Sequence, residues 1–101
     1  MEKHTPHYSL NAIKAIVHEH GVDAFTRAAQ DGAGKLGLTK FEAVAVVLGL
    51  EHRMLFKSMT TYADHKIWQD VYHALCPNGR LAYIKLTLRD DGVVVIQFKE
   101  K

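Results

Sequence analysis

Lys57, His65, Gln69, Tyr83, Lys85 and Lys99 are the residues of this sequence whose types can act together on a phosphodiester. An ammonium group neutralises the charge that builds on a pentacoordinate phosphate. A phenol, with an ordinary pKa of about 10, hydrogen-bonds a phosphate oxygen or hands a proton to the leaving oxygen. A glutamine amide fixes a nucleotide, and aromatic rings stack on unpaired bases. His65 and Gln69 fall inside SMTTYADHKIWQDVY, residues 58–72, which also carries Tyr62, Trp68 and Tyr72. Tyr62 is suited to stacking, whereas Trp68 is better suited to core packing. The general base is the weak point of such a site. A lysine fills that role only with a much-lowered pKa, and of these six residues only His65 titrates near neutrality. A structural hydrogen bond in the Ala63-Asp64-His65 turn is an equally good use for that ring.

Other chemistries lack their residues. No P-loop, G-x-G-x-x-G or G-x-S-x-G occurs, and neither does H-E-x-x-H, C-x-x-C or an acidic calcium loop. Among the seven histidines the close pairs are His4-x-x-His7, beside the N-terminus, and His18-x-His20. The second pair lies about 200° apart on a helix and cannot share an ion. A single cysteine, Cys76, excludes an internal disulfide, and beside Pro77 it reads as an incidental thiol. No metal and no cofactor are expected.

The elements that must hold these residues divide the chain in two. Ser9 is a suitable N-cap, and Leu10, Ile13, Ile16 and Val17 mark one helical face that Gly21 closes. A short helix over Thr26–Gln30 is expected next, before the glycine-containing DGAGKLG. Thr39-x-x-Glu42 is a capping box opening a third helix, with Phe41, Val44, Val47 and Leu48 as its apolar face.

The period then changes to two. LAYIKLTLR alternates, and VVVIQFK follows Asp90-Asp91-Gly92. A two-residue turn would set Lys85 opposite Phe98 and Leu86 opposite Gln97. A three-residue turn gives Leu88–Val94, Leu86–Ile96 and Ile84–Phe98 on one face, with glycine at the left-handed position. The three-residue turn therefore predicts a second face pairing Tyr83 with Lys99, Lys85 with Gln97 and Thr87 with Val95. KIWQDVYHAL is expected as a further strand. Its faces are open: either Trp68, Asp70 and Tyr72 point to the core and Gln69 joins Tyr83, or Ile67, Gln69 and Val71 do.

A chain of 101 residues, 48% hydrophobic and 24% charged, is long enough for one domain with one core and too apolar to be disordered. Nothing approaches the roughly 18 apolar residues of a membrane span, and MEKHTPHYS lacks the apolar run of a signal peptide. A cytoplasmic protein without a membrane partner is expected. Charge is uneven: residues 1–52 carry five Lys/Arg against six Asp/Glu, and residues 53–101 eight against five. The second half is thus the half suited to an anionic partner.

SMTTYADHKIWQDVY, the N-terminal MEK and TPH and the terminal QFKEK resemble the motility quorum-sensing regulator (MqsR) family, toxins of type II toxin–antitoxin pairs. The resemblance spans nearly the whole chain. It is strongest over residues 57–72 and 83–101 and poorest over GVDAFTRAAQDGAG and HALCPNGR. It implies an α+β, RelE-like fold, with N-terminal helices packed on a C-terminal antiparallel β-sheet. It also implies an mRNA interferase, a metal-independent endoribonuclease that cleaves single-stranded RNA at short GC-containing sites. Its partners would be mRNA and a cognate antitoxin carrying zinc and a DNA-binding helix-turn-helix. By motif position, Lys57 in FKSMTTY, Gln69 in IWQDVY and Tyr83 in AYIK match the family's active-site residues. His65 and Lys99 are secondary candidates, and Lys85, Arg89 and Tyr62 are expected RNA contacts. Two other classes compete: a non-catalytic nucleic-acid-binding regulator, and an interaction module that recruits a protein through its sheet edge.

Overall fold

A computed structural model describes all residues 1–101. Helix α1 spans Leu10–His20, with the Ser9 side chain accepting from the Ala12 amide and Gly21 (φ 59°) ending it. Leu10, Ile13 and Val17 are its buried stripe. Helix α3, Lys40–Leu48, starts in the expected capping box: the Glu42 amide donates to the Thr39 hydroxyl, and the Thr39 amide to the Glu42 carboxylate. Its face differs from the expected one at a single residue. Ala43 and Val47 are buried, while Phe41 is 84% exposed. Val47 is in the core and Val44 and Leu48 pack against it as expected, so Phe41 alone departs from the expected face, its place taken by Ala43.

Helix α2 also departs from expectation. It spans Arg27–Lys35, capped by Thr26, and runs through DGAG past the expected end at Gln30. Glycine weakens a helix by about 1 kcal/mol relative to alanine, so its presence needs a local reason. Gly32 supplies one: a Cβ there would overlap the carbonyl oxygen of Phe98 on the adjacent strand. The helix lies so close to that strand that only hydrogen fits.

Five strands form one antiparallel sheet in chain order: β1 Glu2–Lys3, β2 Leu55–Thr60, β3 Trp68–Leu75, β4 Leu81–Leu88 and β5 Val94–Glu100. With three helices before the four long strands, the fold is the expected α+β. The β4–β5 hairpin has the expected register in every pair, including Leu86–Ile96 and Ile84–Phe98, and Gly92 takes φ 83° in the turn. Strands β1 and β2 were not read from the sequence. The first is two residues long, and the second breaks its alternation with a bulge between Leu55 and Lys57.

The open question over β3 is resolved by its pairing. Asp70 lies opposite Leu86 and Tyr72 opposite Ile84, so Trp68, Asp70 and Tyr72 belong to the helix-covered face. Twenty buried residues form the core there, among them Leu10, Ile13, Val17, Tyr72, Ile84, Leu86, Ile96 and Phe98. Asp70, 1% exposed, is the cost of that choice. Its carboxylate is fully occupied, accepting from the His7 and Tyr8 amides (3.0 and 2.9 Å) and the Ser58 hydroxyl (2.6 Å). A buried carboxylate is tolerable only with such donors, and here they tie the N-terminal segment to the middle of the sheet.

Candidate active site

The face away from the helices carries the residues that matter. Lys57 of β2 lies opposite Val71 of β3, Val71 opposite Lys85 of β4, and Lys85 opposite Gln97 of β5. In the adjacent row His73 faces Tyr83, and Tyr83 faces Lys99. On the other side of the lysine row Gln69 faces Met59, which puts its amide on the same surface. Val71 is fully buried without belonging to the main core. The stems of the flanking side chains roof it over, as long lysine chains do while their charged ends reach water.

Two shallow grooves border the cluster. One, of about 560 Å³, lies between α2 and the Tyr83, Lys85 and Lys99 side chains, with Lys35 on its far wall. The other, of about 710 Å³, runs from Gln69 to Arg89 and Lys66 at the hairpin end. Both are open to solvent and neither is a closed pocket.

The electrostatics are those of an anion site. The Lys99 and Lys85 ammonium groups lie 5.3 and 5.8 Å from the centre of the Tyr83 ring. Lys85 has its pKa lowered by burial first, then by Lys99 and Lys57. Three cations close enough to destabilise one another favour an incoming anion. Lys57 goes the other way. Its ammonium hydrogen-bonds the Glu2 carboxylate at 2.6 Å, which raises its pKa above the ordinary lysine value, with a smaller contribution from Tyr83. The same contact lowers the pKa of Glu2.

His73 belongs to this surface and was missed. Its ring stacks on Phe56 at 4.4 Å and lies 5.5 Å from the Tyr83 ring. Burial, then Lys101, lowers its pKa below the usual histidine value, which favours the uncharged ring. Its Nε2 is enclosed with no hydrogen-bond partner. The signal was present: residues 69, 71 and 73 share a strand face, so placing Gln69 beside Tyr83 places His73 there too.

The remaining candidates sit apart. His65 and Tyr62 occupy the exposed turn between β2 and β3, closed by bonds between Thr61 and Asp64 rather than by the histidine. Tyr62 is wholly exposed. Arg89, just past β4, is paired with Asp91 at 3.1 Å at the mouth of the larger groove. Cys76 is buried, which raises its pKa and suits the inert thiol expected. Trp68 carries the Lys3 ammonium over its ring at 4.3 Å and the His7 ring stacked at 5.1 Å.

Comparison with known proteins bears on the family of the chain as a whole. Residues 5–100 match the family described as motility quorum-sensing regulator, toxin of MqsA. The mRNA interferase toxin MqsR of Escherichia coli (strain K12) is 44% identical over 101 residues, covering the whole of both chains. Similarity of that extent, running through every element of the fold, makes this chain a member of the motility quorum-sensing regulator toxin family.

Proposed function

We propose that this protein is a toxin that acts as an mRNA interferase, cutting single-stranded RNA on the outer face of its sheet without a metal ion. The observation that carries the reading is the convergence of Lys57, Gln69, Tyr83, Lys85 and Lys99 on one surface, in a chain similar to a protein named for that activity.

In the reaction the RNA 2′-oxygen attacks the adjacent phosphorus, the bond to the 5′-oxygen breaks, and a 2′,3′-cyclic phosphate remains. Lys57 stabilises the phosphorane charge, with Lys99 as a second cation on the same face. Tyr83 gives its phenolic proton to the departing 5′-oxygen, and Gln69 positions the nucleotide. The 2′-hydroxyl proton passes to the imidazole of His73, which lies beside Tyr83 on this face; His65, the other imidazole considered for this role, sits apart in the β2–β3 turn. Lys85 and Arg89 hold flanking phosphates, and Tyr62 stacks on a base where the strand leaves the sheet. Sites of cleavage are short and GC-containing, as the family resemblance implies.

A cognate antitoxin, zinc-containing and of helix-turn-helix type, holds the toxin inactive. The cytoplasm is where such a pair meets mRNA, and no helix here is long and apolar enough to cross a membrane.

Incubation with labelled single-stranded RNA in excess EDTA tests the reading. Wild type should cut and leave cyclic phosphate ends, with Lys57→Ala and Tyr83→Phe slower by about 10²–10⁴-fold, the range for losing one electrostatic or acid–base group. Intact RNA bound tightly and salt-dependently by folded protein would favour a non-catalytic RNA-binding regulator. Equal cutting by both variants would remove these residues from the site.

A further inference from the structure

The Lys57 ammonium does not wait empty. It is held at 2.6 Å by the carboxylate of Glu2, from a strand at the opposite end of the chain. That carboxylate is placed by backbone, not by chance. Glu2 pairs with Met59 and Lys3 with Ser58, and the Thr60 amide donates to the Met1 carbonyl at 3.0 Å. Downstream, the His7 and Tyr8 amides are fixed to buried Asp70. The segment between is therefore tethered at both ends. Glu2 and a phosphate diester offer Lys57 the same thing, an anionic oxygen at hydrogen-bond distance. Both cannot have the full ammonium.

We propose that Glu2 is a built-in competitor for the substrate phosphate: it occupies Lys57 in the free protein and must yield when RNA binds. The inference rests on the reading of Lys57 as an RNA-phosphate contact. Its consequence is a brake on RNA affinity set by the N-terminal strand. Glu2 is exposed and needs only a side-chain rotation to release the lysine, so the brake is light and reversible. It also keeps the free site from carrying three uncompensated ammonium groups, those of Lys57, Lys85 and Lys99, which repel one another at Lys85.

The test is a double-mutant cycle read by binding of a fully 2′-O-methylated single-stranded RNA, which cannot be cut. Wild type, Glu2→Gln, Lys57→Ala and the double variant are titrated across a salt series, each checked for folding by thermal melt. Glu2→Gln should bind about two- to fivefold tighter, the scale of one exposed ion pair. Its log–log salt slope should steepen by up to about 0.7, one phosphate's worth on a single strand. In the Lys57→Ala background the same substitution should change little. Equal tightening in both backgrounds would reduce Glu2 to a general charge effect and overturn the proposal. Unchanged or weaker binding by Glu2→Gln alone would overturn it too. Wild-type affinity and cleavage in Lys57→Ala would instead strike down the role of Lys57 itself, and the competitor with it.

Discussion

Strand β4 presents two faces that alternate residue by residue and have opposite natures. Ala82, Ile84 and Leu86 are sealed against the helices, while Tyr83 and Lys85 stand half-buried on the other side among cations. The core side is satisfied by contact alone, so the substituents there matter through volume. The outer side is unfavourable by itself: Lys85 titrates below its usual range because burial and two like charges oppose its ionisation. A sheet can carry a strained charge cluster on one face because the other face holds the backbone in place. Stability and activity are thus separated by a single residue step.

That separation can be broken deliberately. Ile84→Ala should lose about 2–5 kcal/mol by leaving a cavity in the core, while RNA cleavage per folded molecule stays near wild type. Lys85→Met, its neighbour, should show the converse: a melting temperature equal to or above wild type and weaker RNA binding. Thermal melts paired with single-turnover cleavage measure both, and a common response would mean the faces are not independent.

Asp70 sharpens the same contrast, being a charge on the core side. Asp70→Asn keeps the shape but can turn a donor toward the His7 and Tyr8 amides. The expected loss is about 2 kcal/mol, or a fall in melting temperature of about 10 °C for a chain of this size.

The smallest expected effect is a pH dependence at His73. Burial lowers its folded pKa below the ordinary histidine value, so the unfolded chain binds the proton more readily. Stability from this group is complete above the unfolded value and is lost as pH falls through the folded one. Wild type should lose more stability than His73→Gln between pH 7 and 5 in denaturant titrations; parallel curves would rule the ring out as the cause.

What the sequence revealed follows from which signals are local. The β4–β5 register was legible because one turn and strict alternation fix it, and Tyr83, Lys85 and Lys99 came with it. The capping box at Thr39 was legible for the same reason. Glu2 was not, because its partner lies 55 residues away and a two-residue strand has no period to read. The continuation of α2 through DGAG is not legible locally, because Gly32 answers to the Phe98 carbonyl on a strand more than sixty residues on, not to its own segment. Phe41 misled because hydrophobicity marks what can be buried, and tertiary packing took Ala43 in its place. His73 was the avoidable miss, since it followed from the position of Gln69.

The near contact of Gly32 with β5 reaches beyond the monomer. The outer side of β5 is occupied: Phe25 bridges to Ile96, the Thr26 amide and hydroxyl donate to the Ile96 carbonyl, and α2 lies on Phe98. Head-to-tail growth of a β-sheet from copy to copy needs two free edges on every molecule. With β5 closed, copies that met along their strands could use only the β1–β2 side. Two such sides can join each other once, and growth then stops at a closed pair instead of running on into a fibre.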